Sequence, residues 1–356
     1  MDQIWWKQIT KANHFIKDLA ATVLDSKSVI LNLPEFVPWQ DTMYEMVEGI
    51  LNEENPEYRL VVHECPTEEA GQFLLEEFCK KDKRASYRYG MSYASFLAQS
   101  EGIVLNSRYI WIKNVTRDKL EEWSKFILEY NKNLPKHRAA AVFILETHET
   151  DIRQKALKGI RYINFDDSID SYDKFTFCAL SSTEISIKGY LRPYLAELVS
   201  TVCKDDIELC ALCINRWNEF LSEPISVLSS INDDEQHSDG TPFTIQLDTE
   251  YINTLIWESQ VKYLFPIVER YRSTFVKNYY QSIEKALPIK NSYGETITNP
   301  LDIELGSLIQ MAAQKKLSLN TATYTQLDDF RHIRNDLAHI TPIEFSRVDR
   351  ILSLKI

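Results

Sequence analysis

Ser28-Val29-Ile30-Leu31-Asn32-Leu33 (SVILNL) reads as a buried strand, and the alternation it opens decides the fold. A helix around Asp41 to Leu51 separates it from a second strand, Tyr58 to Cys65 (YRLVVHEC). The pattern then gives a helix from Thr67 to about Lys81, a short helical turn from Tyr93 to Ala98, the strand Tyr109 to Val115 (YIWIKNV) and a helix from Arg117 to Tyr130. Ala139 to Thr147 (AAAVFILET) and Gly159 to Phe165 (GIRYINF) supply two more apolar runs. Strands alternating with helices predict a mostly parallel sheet covered on both faces. Ahead of the alternation, residues 1–24 read as one amphipathic helix that buries Ile4, Trp5, Ile9, Phe15, Ile16 and Leu19, with Trp5-Trp6 serving packing.

This order resembles a P-loop NTPase core of the AAA-like type over residues 1–167, followed over 168–231 by a helical subdomain where such proteins carry their lid. The phosphate-binding signature is missing. Such a site needs glycines whose backbone N–H groups wrap the phosphates, a lysine, and a Ser or Thr for magnesium. After the first strand the chain instead reads Pro34-Glu35-Phe36-Val37-Pro38-Trp39-Gln40, with an added carboxylate that repels phosphate. The third strand ends in Lys113-Asn114-Val115 where magnesium-binding acids are wanted, and Glu146 and Thr147 stand near the end of the fourth. The resemblance therefore implies a degenerate, non-hydrolysing domain with no cofactor, left with a weak nucleotide site or a surface for a protein partner. An unrelated doubly wound fold has the same alternation. The basic run Lys80-Lys81-Asp82-Lys83-Arg84 reads as a solvated helix end.

Asn232 to Pro242 (NDDEQHSDGTP) is acidic and turn-rich, so 232–249 is expected as an exposed linker with His237 in solvent. Beyond it the fold class changes to all-α. Ile252 to Phe265 is a helical stretch, Pro266 kinks or restarts it, and Val268, Phe275, Tyr279 and Ile283 continue an apolar face to Leu287. Pro288 to Thr298 is a loop, and Asn299-Pro300 offers a cap and first turn for a helix to about Lys316. Tyr324 to Ile340 is the next helix, with Phe330, Ile333, Leu337 and Ile340 as its buried stripe. Thr341-Pro342-Ile343-Glu344 has the form of a capping box, and Phe345, Val348, Ile351 and Leu352 give a last apolar face. Four or five helices with short connections predict an up-and-down bundle over 250–356.

Within that bundle, Arg334-Asn335-Asp336-Leu337-Ala338-His339 pairs a strong phosphate binder with a proton shuttle. At about 100° per residue, Asn335 and His339 point away from the buried stripe. The segment resembles the R-x4-H motif of the HEPN superfamily, and Asn299 to Leu308 looks like the acid-containing second helix of such domains. The resemblance, covering roughly 250–356, implies a metal-independent ribonuclease. It implies His339 for proton transfer, Arg334 for the phosphate and Asn335 for orienting the histidine or the ribose, with Glu304, Arg331 and His332 as second-rank candidates. About 140° of helix separates Arg334 from His339, so a site with both an acid and a base calls for two copies facing each other in a homodimer. The resemblance places such chains as effectors of prokaryotic toxin or phage-defence systems, with RNA as the partner. Many HEPN-like domains only bind, and there Arg334 would simply pair with Asp302 or Glu304.

Composition bounds these readings. The net charge of -12 excludes a general nucleic-acid coat, but residues 250–356 carry 13 Lys/Arg against 12 Asp/Glu while residues 1–249 carry 27 against 40. A polyanion thus meets the C-terminal part more readily, and the acidic first domain suits a protein partner. The longest uninterrupted apolar run, Ala139 to Leu145, is too short to cross a bilayer, and with no basic-plus-apolar signal segment the chain is expected in the cytoplasm. Six scattered cysteines fit reduced thiols; Cys210 and Cys213 form a C-x2-C near Cys203, but no second close pair completes a zinc site.

Overall fold

The computed structural model describes every residue except 89, 101, 102, 104, 150–158, 166–169, 291–293 and 355–356. The chain forms two compact units, Met1–Asp173 and Lys174–Ile356. In the first, α1 (Asp2–Gln8) and α2 (Thr10–Leu24) lead into β1 (Ser28–Asn32), α3 (Gln40–Glu54) and β2 (Arg59–Glu64). Next come α4 (Ala70–Phe78), α5 (Lys81–Arg84), α6 (Tyr93–Gln99), β3 (Arg108–Lys113), α7 (Arg117–Asn133), β4 (Val142–Thr147) and β5 (Ile160–Asn164). The residue expected to open the lid-like segment, 168, lies outside the described residues.

The five strands form one sheet in the order β2-β3-β4-β1-β5, with every pair parallel. The register puts Val29 opposite Ile144, and Ile144 opposite Trp111, in one row on the face covered by α2 and α3. The alternate residues Ile110, Ile112, Phe143 and Leu145 pack with Leu74, Leu97, Trp123 and Ile127 of the helices on the other face. Both faces are therefore covered at the centre of the sheet, and β4, flanked by β3 and β1, is buried along its whole length. The expected single helix over 1–24 is broken at Ile9, whose extended backbone (φ -81°, ψ 123°) lets Trp6 and Phe15 close on Phe165. The helix expected over 67–81 is shorter, and the basic run forms its own turn, with Arg84 donating to the carbonyls of Cys79 and Glu76.

The second unit is helical. Its elements are α8 (Ser171–Ser181, which begins in the first unit), α9 (Arg192–Val202), α10 (Ile207–Asn215), α11 (Trp217–Ser222) and α12 (Pro224–Asp234). The 30-residue α13 (Thr249–Asn278) comes next, then α14 (Tyr280–Ala286) and a short antiparallel pair, β6 (Ile289–Lys290) and β7 (Thr296–Ile297). The last helices are α15 (Leu305–Ala313), α16 (Thr321–Ala338) and α17 (Phe345–Leu352). Part of the loop expected over 288–298, residues 291–293, lies outside the described residues. Among the described residues no helix is long and apolar enough to cross a membrane.

Four local expectations are corrected. Of the two effects expected of Pro266, a restart does not occur: α13 runs through it, its neighbouring turns anchored by buried Leu264, Val268 and Tyr271. Asn299 caps a single 3₁₀ turn, Pro300–Asp302, and α15 begins only at Leu305. The capping box at 341–344 does not form, because Thr341 Oγ1 donates back to the His339 carbonyl and α17 starts after Glu344. His237 is not in solvent: its side chain is 11% exposed, with Nε2 2.8 Å from Asp206 Oδ2 and its ring against Phe243. Ser238 donates twice to Glu208 beside it, so the segment after α12 is fastened to α10.

Candidate functional site

The motif helix is built from both ends. Asn320 accepts from the Thr323 N–H at 2.8 Å and satisfies one orphan donor of the first turn. Leu327, Phe330, Ile333 and Leu337 recur at helical spacing and are buried, with the Phe330 ring stacked on Tyr271 at 3.8 Å. At the far end the His339 N–H bonds the carbonyls of Asn335 and Asp336, and the Thr341 N–H returns to Asp336 at 3.1 Å. That six-residue closure requires a left-handed residue between them. Ile340 takes it, with φ 55°, and is 60% exposed, so it does not extend the buried stripe as the periodicity predicts.

Two side chains of α13 that sequence reasoning missed hold this terminus. Trp257 Nε1 donates to the Leu337 carbonyl at 2.7 Å, one of the last-turn acceptors that a helix end leaves open. One turn along, buried Gln260 accepts from the Ile343 N–H (2.7 Å) and donates to the Ile343 carbonyl (2.9 Å) and the Tyr194 hydroxyl (3.1 Å). Position His339 therefore sits between two clamps.

The candidate residues separate into two groups. Arg334 is 39% exposed, and its Nη2 lies 3.4 Å from Glu304 Oε2, itself 58% exposed. An exposed pair of this kind is worth roughly 0–1 kcal/mol and leaves the guanidinium exchangeable. Arg331 instead forks onto Asp328 at 2.8–2.9 Å and onto the His332 ring, which also meets the Asp328 carbonyl. Asn335 is half-buried and His339 exposed; among the described residues neither side chain has a hydrogen-bond partner. Among the described residues no hydrogen bond joins Arg334 to His339; the cation's ion pair is with Glu304. The arrangement offers an open imidazole at a fixed helix end and a weakly held guanidinium on its flank.

The carboxyl edge of the sheet is the other polar concentration. Glu146, 1% exposed, accepts from the Tyr44 hydroxyl at 2.9–3.0 Å and from Trp111 Nε1 at 2.7 Å. Burial, and then the Glu146 charge, push the Tyr44 phenol far up. Lys113 lies over the Tyr44 ring, 3.6 Å from its centroid. The loop from Leu33 to Trp39 is held at its far end by Trp6 Nε1, which donates to the carbonyls of Pro38 and Trp39. Trp39 is left-handed (φ 46°), and Asp41 occupies the first turn of α3, so the turn from β1 into α3 carries negative charge. A carboxylate in the apolar run AAAVFILET was a legible sign of this cluster.

Four of the six cysteines share a buried setting in the helical unit. Cys178, Cys203, Cys210 and Cys213 are buried, and Cys203 Sγ approaches Cys213 Sγ at 3.6 Å. Burial pushes the Cys178 and Cys203 thiols up. Among the described residues no three His, Cys, Asp or Glu side chains are grouped so as to hold a metal ion.

No family model matches the sequence, and no curated protein matches it. Among solved structures, three variant forms of Thermotoga maritima RuvB are similar over part of the chain. They are 12%, 10% and 11% identical, cover 71–72% of this chain and 76–78% of their own, and give a TM-score of 0.37. Likeness of that depth carries no argument, and the α/β class follows from this chain's own strand order.

Proposed function

We propose that residues 250–356 form a HEPN-like domain that cleaves RNA without a metal ion, acting as a homodimer through Arg334 and His339. The observation that carries this reading is the end of α16, where an exposed imidazole stands between two clamps with a half-exposed guanidinium at Arg334 on the flank of the same helix. Histidine suits proton transfer because it titrates near neutrality. Arginine suits the phosphate because its planar fork keeps its charge and donates two hydrogen bonds as negative charge builds. Asn335 orients the histidine or the ribose. A second copy supplies the second histidine, so that one is base to the 2′-hydroxyl and the other acid to the leaving oxygen. Residues 1–167 serve as a degenerate P-loop-like regulatory domain with 168–231 as its lid-like extension and 232–249 as the join, in a cytoplasmic toxin or phage-defence effector.

The test is cleavage of a mixed RNA pool, tRNA included, by the full-length protein in EDTA, beside His339→Ala and Arg334→Ala. Cleavage abolished in both is the expected result; activity retained in either removes the assignment. A second reading, a non-catalytic adaptor that dimerises or holds a partner through these helices, is favoured by the Glu304 carboxylate already lying on Arg334. An intact RNA pool after incubation with folded wild-type protein would select it.

A further inference from the structure

In the first unit, the start of α4, the start of α6 and one side of α7 enclose a cavity of about 600 Å³. Tyr87, Met91, Tyr93 and Phe126 give it an apolar wall. The two tyrosine rings are stacked, 4.6 Å apart and 8° from parallel, and the Tyr87 hydroxyl donates to the Met91 carbonyl at 2.9 Å, which closes the turn between them. Gly71 of α4 comes up against the second ring: a Cβ there would stand 2.3 Å from Tyr93 Cβ, so this approach needs glycine. The wall is therefore set by the packing of α4 on α6.

The charged part of the lining is acidic but for one residue. Asp118, Glu121, Glu122 and Glu129 come from α7, and Glu69 stands at the N-cap of α4. Glu122 is engaged within the fold, accepting from the Ala70 N–H at 2.6 Å and from Lys119 at 3.1 Å. Lys125 is the exception in sign, but it stands 4.0 Å from Glu121 with both side chains more than three-quarters exposed, a pair worth little. Among the described residues no ion pair reaches Glu69, Asp118 or Glu129. Asp118 also lies three and four residues from Glu121 and Glu122, the spacing at which like charges on a helix repel. A cation in the cavity relieves that repulsion.

The complement of such a lining is a cation on an apolar stem. Arginine and lysine have that form, with methylenes that lie along apolar surface and a charged head that meets carboxylates. We propose that the cavity is a docking site for a basic segment of a partner protein: an arginine or lysine side chain lays its stem along Tyr87, Met91 and Tyr93 and brings its charge to Glu121 and Glu129. A nucleic acid or an anionic membrane has the wrong sign for this lining. The excess of acid over base in residues 1–249, 40 against 27, draws a basic segment in from a distance. This inference is independent of the role given to Arg334 and His339.

The experiment selects peptides from a phage-displayed random library on the immobilised full-length protein, then titrates the enriched sequences, made synthetically and labelled, by fluorescence anisotropy. Sequences that pair arginine or lysine with apolar neighbours are expected to be enriched. Their affinity is expected to fall at least about tenfold in the double variant Glu121→Lys, Glu129→Lys, whose two positions are exposed and leave the fold intact. The same change of net charge at exposed Glu53 and Glu54 of α3 is expected to alter affinity less than about twofold, since docking at the cavity depends on where the carboxylates stand. No enrichment, or enrichment of uncharged or acidic sequences, would overturn the assignment. So would basic peptides that bind the cavity variant as tightly as wild type, or that lose as much affinity in the α3 variant, which would mark a general attraction to an acidic surface.

Discussion

The carboxyl edge of the sheet and the end of α16 both gather polar side chains, and they treat them in opposite ways. At the sheet edge each polar atom is answered from within: Glu146 by Tyr44 and Trp111, the Pro34 carbonyl by His148. At the end of α16 Trp257 answers the Leu337 carbonyl and Gln260 the backbone of Ile343, while the side chains of Asn335 and His339 are left without such partners among the described residues. A buried polar group costs free energy unless it is paired, so the first arrangement reports stability; a solvated group costs little, so the second is free for chemistry.

Substitutions that cost stability in one region and function in the other sharpen that contrast. The largest expected loss is at Glu146→Ala, which strips a buried acceptor from the Tyr44 hydroxyl and the Trp111 N–H and should lower unfolding free energy by about 3 kcal/mol in urea titration. A cost under about 1 kcal/mol there would erase the distinction. Gln260→Leu comes next: it leaves the Ile343 N–H and carbonyl without partners, for about 2 kcal/mol by the same measurement. Smallest is His339→Ala, expected within about 0.5 kcal/mol of wild type because its ring touches nothing that must be satisfied. A large destabilisation there would mean that the imidazole is a structural group after all.

How much of this was legible depends on where the information resides. β1, β2, β4 and β5 lie within the apolar runs that predict them and β3 begins one residue before its run; β4 is the plainest case, because a strand buried on both faces has no polar partner to interrupt its pattern. The α16 stripe was visible down to Leu337 for the same reason. What escaped depends on partners far away in sequence. Gln260 looks like any helical glutamine until Ile343 arrives opposite it, and His237 looks solvated until Asp206 does. Ile340 satisfies the periodicity, yet the closure onto Asp336 needs a left-handed residue at that position and takes it out of the stripe. The Thr341–Glu344 signature fails in the same manner, since Gln260 fixes the backbone of Ile343 before a capping box can close.

The packing of α9 on α13 also sets where this polypeptide can be divided. Tyr194 and Glu197 of α9 meet Gln260, Tyr263 and Lys262 of α13, so a cut near residue 250 would strip one wall from the longest helix and leave the Gln260 amide short of a partner. The compact unit that bears the motif helix begins at Lys174.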